Sequence, residues 1–161
     1  MDAAKSEKLA AVREKISAAC KKSNRKESEV TLIAVSKTKP WEDVAAFAAL
    51  GVRDFGENYV QEAQEKQKRA TGAELDLRWH LIGTLQSNKA KFIPGHFCLF
   101  HALDSMSLAT KLDKAAEAAG LVQDCLLEVN VDLETTKGGI AESHLPQILA
   151  QLAPLRYIRI K

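Results

Sequence analysis

The sequence predicts an α/β fold organised on a parallel sheet, and three observations carry that prediction. Short apolar runs rich in Val, Ile, Leu and Phe alternate with stretches whose apolar residues recur at helical spacing. The alternation gives five strand–helix units and a sixth strand, at roughly twenty to thirty residues per unit, with no low-complexity segment or linker between them. Such alternation implies right-handed crossovers and hence parallel strands. The chain of 161 residues, 46% hydrophobic and 27% charged, is long enough for one ordinary core. Length alone favours an open six-stranded sheet, since a closed eight-stranded barrel runs to about 250 residues and rarely below about 200.

Taken in order, Leu9, Val12, Ile16 and Ala19 define an amphipathic helix from Ser6 to about Cys20 with a lysine-rich outer face. The polar stretch Lys21 to Glu29 leads into Val30-Thr31-Leu32-Ile33-Ala34-Val35, which reads as a buried parallel strand ending in Ser36-Lys37-Thr38-Lys39-Pro40. Pro40 suits the first turn of a second helix, with Glu42 and Asp43 at its positive end, Val44, Phe47 and Ala48 inward, and Gly51 as the stop. Val52 to Phe55 is the second strand, and Gly56-Glu57-Asn58 leads from it to a polar helix over about Tyr59 to Ala70 and a loop over Thr71 to Asp76. Arg78 to Gly83 forms the third strand, followed by a short helix to about Phe92; Pro94-Gly95 turns the chain into the fourth, near Phe97 to Ala102. Ser105 is an N-cap for a helix carrying Leu108, Leu112, Ala115 and Ala119, which Gly120 ends. Cys125 to Val131 is the fifth strand, with Gly138-Gly139 in the loop after it. Leu145, Ile148, Leu149 and Leu152 mark the last helix, and Tyr157 to Ile160 begins the sixth strand.

The charge pattern narrows the function classes. A net charge of +2 arises from interspersed signs, not a basic block, so neither nucleic acid nor an anionic membrane is implied. No window approaches the roughly eighteen apolar residues of a membrane span, and the N-terminus is charged where a signal peptide is apolar. Cys20, Cys98 and Cys125 lack metal-type or CxxC spacing, which fits reduced thiols in the cytoplasm. His96, His101 and His144 are too scattered for a metal site, and none is expected.

Lys37 is the candidate reactive group. Loops leaving the carboxyl ends of parallel strands form the ligand crevice of α/β folds, and Lys37 stands at the end of the first strand. Walled by apolar neighbours, a lysine there loses hydration and becomes a nucleophile toward an aldehyde, giving a Schiff base; the plainer reading is a solvated strand-end charge.

Three stretches together resemble one family: Leu32-Ile33-Ala34-Val35-Ser36-Lys37-Thr38-Lys39-Pro40, Phe55-Gly56-Glu57-Asn58-Tyr59-Val60-Gln61-Glu62 and Trp79-His80-Leu81-Ile82-Gly83-Thr84-Leu85-Gln86-Ser87-Asn88-Lys89. They are similar to the YggS/PROSC proteins, the pyridoxal phosphate homeostasis family, which look like the N-terminal barrel of alanine racemase. Leu126-Leu127-Glu128-Val129-Asn130 and Lys137-Gly138-Gly139 agree with it. The resemblance implies a (β/α)8 TIM-barrel type domain over residues 1–161 with an extra N-terminal helix, here incomplete at about six parallel strands and truncated after strand six. It implies pyridoxal 5′-phosphate (PLP) held as a Schiff base on Lys37. The Ser- and Gly-rich phosphate cup and the late arginine of the family find no counterpart; Arg156, Arg159 and Lys161 match no such motif. An incomplete barrel exposes two strand edges, so low stability or edge association is expected of this length.

Further cofactor-binding candidates follow from the same motifs. Lys39 is a neighbouring exchange or phosphate-side lysine, or a solvated loop charge. Asn58, at the end of the second strand, can aim its amide at the cofactor or cap the following helix. His80 is a cofactor contact or a hydrogen-bonded core histidine. Gly83 offers bare backbone to a ligand, and Lys137 can reach an anion over the mouth or stay in solvent. Thr84 stands with Gly83 at the end of the third strand, and Gln86, Asn88 and Lys89 suit either the site or the capping of the short helix. No catalytic residue is assigned. Racemisation needs two opposed bases, and the opposing tyrosine comes from a second domain in alanine racemases; Tyr59 and Tyr157 have no motif support for that role. The resemblance therefore implies a non-catalytic carrier that buffers PLP and hands it to PLP-dependent apo-enzymes. A PLP-dependent racemase-like enzyme is the alternative, and a protein-binding scaffold using the N-terminal helix a third.

Overall fold

Six parallel strands stand side by side in the order in which the chain makes them: β1 (Ala34–Val35), β2 (Asp54–Glu57), β3 (Arg78–Leu81), β4 (Leu99–Leu103), β5 (Gln123–Leu127) and, after a short excursion, β8 (Ile158–Ile160). The computed structural model describes residues 3–132 and 138–161. A doubly wound open sheet reverses its strand order at a switch point. This sheet never reverses, so its winding is that of a TIM-type barrel, against the open sheet that length alone favours. Helices α1 (Ala3–Lys22), α2 (Trp41–Ala49), α3 (Val60–Gly72), α4 (Met106–Ala118) and α5 (Leu145–Leu152) complete the units, with a 3-10 turn at Ser87–Phe92 in place of a full helix after β3. None of the described helices is long and apolar enough to cross a membrane.

The main core lies between sheet and helices. Phe55, Trp79, Leu81, Phe100 and Cys125 project from the strands against Val44, Ala48, Ala63, Leu108 and Leu112 of the helices. The Phe55 and Trp79 rings stand 5.8 Å apart at 37°, a tilted aromatic pair across neighbouring strands. Because successive residues of a strand face opposite sides, Asp54 and Gly56 of β2 and His80 of β3 belong to the inner face, which in a closed barrel is the interior.

Several boundaries behave as the local chemistry dictates. The Ser105 hydroxyl accepts the Leu108 N–H at 3.4 Å and starts α4. Gly51 and Gly120 follow α2 and α4 with φ of +85° and +67°.

Other expectations are corrected. The first strand spans two residues, not six, because it hydrogen-bonds a strand on one side alone. The second strand runs two residues later than expected: Gly56 and Glu57 continue it, and both are buried. On α1, Leu9 and Cys20 are buried while Val12 is 42% exposed, so the helix lays a narrow stripe on its neighbours. It is tied to α2 by Lys5 to Asp43 at 3.0 Å. In α4, Ala116 takes the buried place expected of Ala115 and Ala119, and in α5 Leu149 faces solvent. The fifth strand breaks in two. Its continuation β6 (Val129–Asn130) pairs in parallel with β7 (Ile140–Ala141), a small second sheet that returns the chain across the carboxyl end of β5.

Candidate functional site

Strand register brings the candidate residues to one rim. Val35 pairs with Gly56, and Gly56 with His80, so Lys37, Asn58 and the Ile82-Gly83 step leave β1, β2 and β3 at matching heights on the carboxyl end of the sheet. Ile33 and Val35 lie on the inner face, and Lys37 follows in the turn beyond them. Gly56 leaves room beneath them: a β-carbon there would stand 3.2 Å from both Ile33 Cγ2 and Ile82 Cδ1. Gly83 is tighter still. A β-carbon on it would lie 2.6 Å from Asn58 O and 2.8 Å from Asn58 Cα, so the bare backbone of Gly83 is occupied by Asn58. Asn58 itself is half-buried, and α3 starts at an N-cap of Tyr59 with no side-chain cap among the described bonds.

Lys37 and Thr38 are the central pair of a four-residue turn that the Lys39 N–H closes by donating to Ser36 O at 3.0 Å. Thr38 has φ +60° and Lys37 is not among the positive-φ residues, the pattern of a type II turn, whose third position favours glycine. A β-branched residue held there stores about 1–3 kcal/mol, which the surroundings must hold in place. They do so through four hydrogen bonds. The Ser36 N–H donates to Gly56 O at 3.0 Å. The Ser36 hydroxyl donates to Glu57 Oε1 at 2.6 Å, the Lys66 ammonium to Ser36 O at 2.6 Å, and the Thr38 N–H to Glu62 Oε1 at 2.6 Å. The two other Lys66 protons go to Glu57 Oε1 at 2.7 Å and Glu62 Oε1 at 2.8 Å. All three donors of the ammonium are thus used. Glu57 and Lys66 are buried between sheet and α3, and Glu57 Oε2 makes no hydrogen bond.

The Lys37 side chain is exposed, where the sequence leads one to expect an amine enclosed by apolar neighbours. The cause lies in the strand: among the described residues β1 has one partner in the sheet, and Val35, two residues earlier, is itself 52% exposed. Sequence reasoning passed over Glu57, Glu62 and Lys66. The signal was present as a Glu–Lys pair four apart on a helix read simply as polar.

A second charged cluster occupies the inner face further from the rim. Arg78 grips Asp54 with two parallel N–H bonds, one of 2.8 Å to Oδ1. His80 Nε2 lies 3.0 Å from Asp54 Oδ1, and His80 Nδ1 lies 3.0 Å from His101 Nε2. Burial pushes the Asp54 carboxyl up, but hydrogen bonds from Arg78 and His80 outweigh it and hold its pKa below the ordinary 3.8. Asp54 is therefore a carboxylate at neutral pH. The His80 Nε2–H therefore donates to Asp54, and His80 Nδ1 shares a hydrogen with His101 Nε2. Burial, and next the His80 charge, lower His101 from its ordinary 6.5. Both ring nitrogens of His80 are thus engaged by protein.

The remaining candidates are more dispersed. Lys39 is exposed and borders a surface cleft shared with Glu62, Glu65 and Arg69, on the outer side of the Lys37 turn. Lys89 donates to Gln61 Oε1 at 3.2 Å, and the 3-10 turn after Gln86 has no side-chain cap among the described bonds. Lys137 lies outside the described residues. Its neighbour Gly138 comes against the carboxyl ends of β4 and β5, where a β-carbon would stand 3.8 Å from Asp104 Oδ2. Arg159 is paired with Asp124 at 2.6 and 3.0 Å. Among the described residues no three His, Cys, Asp or Glu side chains are grouped to hold a metal.

Comparison with known proteins agrees with this geometry. The family model described as alanine racemase, N-terminal domain, matches residues 8–161. The chain is 39% identical over 154 residues to the pyridoxal phosphate homeostasis protein of Aquifex aeolicus, covering 96% of this chain and 67% of that one. It is 40% identical over 158 residues to the protein of that name from Escherichia coli K12, covering 95% and 66%. The chain thus spans about two thirds of the length of these curated relatives. Among solved structures it is similar to PipY of Synechococcus elongatus with PLP bound, at TM-score 0.81 and 38% identity, over 97% of this chain and 67% of that one. An alanine racemase of Clostridium difficile, at 14% identity and TM-score 0.64, shares the fold over 82% of this chain and 34% of its own.

Proposed function

The chain belongs to the alanine racemase N-terminal domain family and to the pyridoxal phosphate homeostasis proteins within it, and from that premise we propose that it binds PLP reversibly as a Schiff base on Lys37. On this reading residues 1–161 act as one PLP-binding domain in the cytoplasm, a carrier that keeps the free aldehyde low and passes the cofactor to PLP-dependent apo-enzymes without catalysing a reaction. The observation that carries the reading is Lys37 in a pinned turn on the carboxyl rim of a barrel-type sheet, level with Asn58.

The donor set fits one end of the cofactor. Bound PLP would supply an electrophilic aldehyde, and Lys37 would hold it by condensation of its amine with loss of water. Exposure keeps that amine accessible to an incoming aldehyde, which suits a protein that must also release it. The Asn58 amide would meet the cofactor ring or its oxygen, with Gly83 packed against Asn58; Lys39 would serve exchange or the phosphate side, and Lys137 would reach an anion over the mouth. His80, held on both nitrogens, supports the floor of the mouth. Arg159 and Lys161 pair with Asp124.

Incubation with PLP, borohydride reduction and peptide mass spectrometry test the assignment. The adduct is expected on Lys37, with loss of the imine absorbance in Lys37→Ala; label spread evenly over exposed lysines and unchanged in that variant refutes it. Deuterium exchange at the α-carbon of alanine that disappears in Lys37→Ala would replace the carrier by the racemase-like enzyme.

A further inference from the structure

Lys37 has an exposed side chain on a backbone that is held unusually firmly. The residues before and after it are both gripped by charged side chains that come from elsewhere in the fold. Ser36 is held through its hydroxyl by Glu57 and through its carbonyl by Lys66, and Thr38 through its N–H by Glu62. These three charged residues are joined to one another at Lys66. The turn they hold contains a threonine in the left-handed region, a conformation that the local sequence does not favour and that an external acceptor must stabilise. Two of the three, Glu57 and Lys66, are buried, so little solvent competes for their bonds, whereas Glu62 has a side chain 25% exposed and lies at the edge of the network.

We propose that Glu62 is a positioning residue for the Lys37 amine, fixing the turn through the Thr38 N–H, with the Glu57–Lys66 pair as the buried anchor that aims it. This rests on the reading of Lys37 as the cofactor lysine. The logic is geometric. An exposed lysine on a loose loop samples many directions, whereas one whose two neighbours are fixed projects its side chain from a constant origin on the rim. Attack on an aldehyde gains from such preorganisation, and a displacement near 1 Å can cost on the order of 100-fold in rate. The network touches neither the amine nor the cofactor, so its effect runs through the backbone.

The test is a graded series at Glu62. Glu62→Ala and the bulk-preserving Glu62→Met remove the acceptor, while Glu62→Gln keeps an oxygen for the Thr38 N–H. Each variant of the full chain is treated with PLP under pseudo-first-order conditions. Imine absorbance is followed in time, and the borohydride-trapped adduct on Lys37 is counted against that on the exposed Lys114 of α4; thermal melting establishes that each variant is folded. The expected result is a fall of about tenfold in the Lys37 rate for Ala and Met, recovery in Gln, and no change at Lys114. Equal rates in parent, Ala and Met overturn the positioning role and leave Lys37 as the cofactor lysine. Equal losses in Gln and Ala overturn it as well, because the oxygen is then irrelevant. A parent chain with no preference for Lys37 overturns both this inference and the reading on which it rests.

Discussion

Two charged clusters lie on opposite faces of the same strand, and they are built differently. Glu57 of β2 points into the helix layer and meets Lys66 and Glu62 of α3. Asp54, three residues earlier, points to the inner face and meets Arg78, His80 and His101. The outer cluster uses all three donors of one buried ammonium, with Glu57 buried beside it and Glu62 at the edge. The inner one reaches solvent through Arg78, whose side chain is 61% exposed, and it includes two imidazoles. A strand can thus carry a fixed electrostatic clamp on one side and a proton-responsive chain on the other, because alternation keeps them from mixing.

The sharpest way to break the contrast is Lys66→Met. It strands the buried Glu57 carboxylate in the helix layer, and removing one partner of a buried pair costs about 3–5 kcal/mol. Urea denaturation is expected to show a loss of that size, partly recovered in the double variant Lys66→Met with Glu57→Gln, where one uncompensated charge is gone. A loss below about 1 kcal/mol, as for exposed ion pairs, would mean the cluster is wet.

The inner cluster predicts pH dependence instead. His101 binds its proton less readily folded than unfolded, so the unfolded chain takes up more protons as pH falls below about 6.5, and stability falls with it. Asp54 is depressed, so its contribution is present above the ordinary 3.8 and is lost as pH falls through the lower folded value. Both act in the same direction in separate windows. Denaturation midpoints of the parent chain are expected to decline from pH 7 to 5 and again below pH 4. His101→Gln flattens the first decline and Asp54→Asn the second, and neither alters the effect of Lys66→Met. The smallest effect belongs to Thr38→Gly, which relieves the left-handed strain while making the unfolded chain more flexible. A net change within about 1 kcal/mol is expected by the same denaturation measurement.

Much of this architecture was legible before any coordinates. The order of strands and helices, the Ser105 cap and the stops at Gly51 and Gly120 are local decisions written in a few residues. The boundary of β2 was not, because Gly56-Glu57 looks like a turn until Ile33 and Ile82 are seen to need the space above the glycine and Lys66 is seen to receive the glutamate. Likewise, Lys37 was visible in its motif, whereas its exposure and its supports depend on what β1 and α3 place beside it. His80 was weighed as a core residue or a contact. Its partner His101 is twenty-one positions away and is brought near by the pairing of β3 with β4. The two-residue pairing of β6 with β7 has no periodicity to detect.

The contact between Gly83 and the Asn58 backbone has a bearing on engineering. With no atom to spare between them, the segments that follow β2 and β3 form one mechanical piece, and neither can be lengthened, stiffened or redirected without dragging the other. Attempts to reshape this mouth must therefore redesign the two loops jointly, and the Lys37 turn with them, since Gly56 and Glu57 of β2 and Glu62 and Lys66 of α3 hold it.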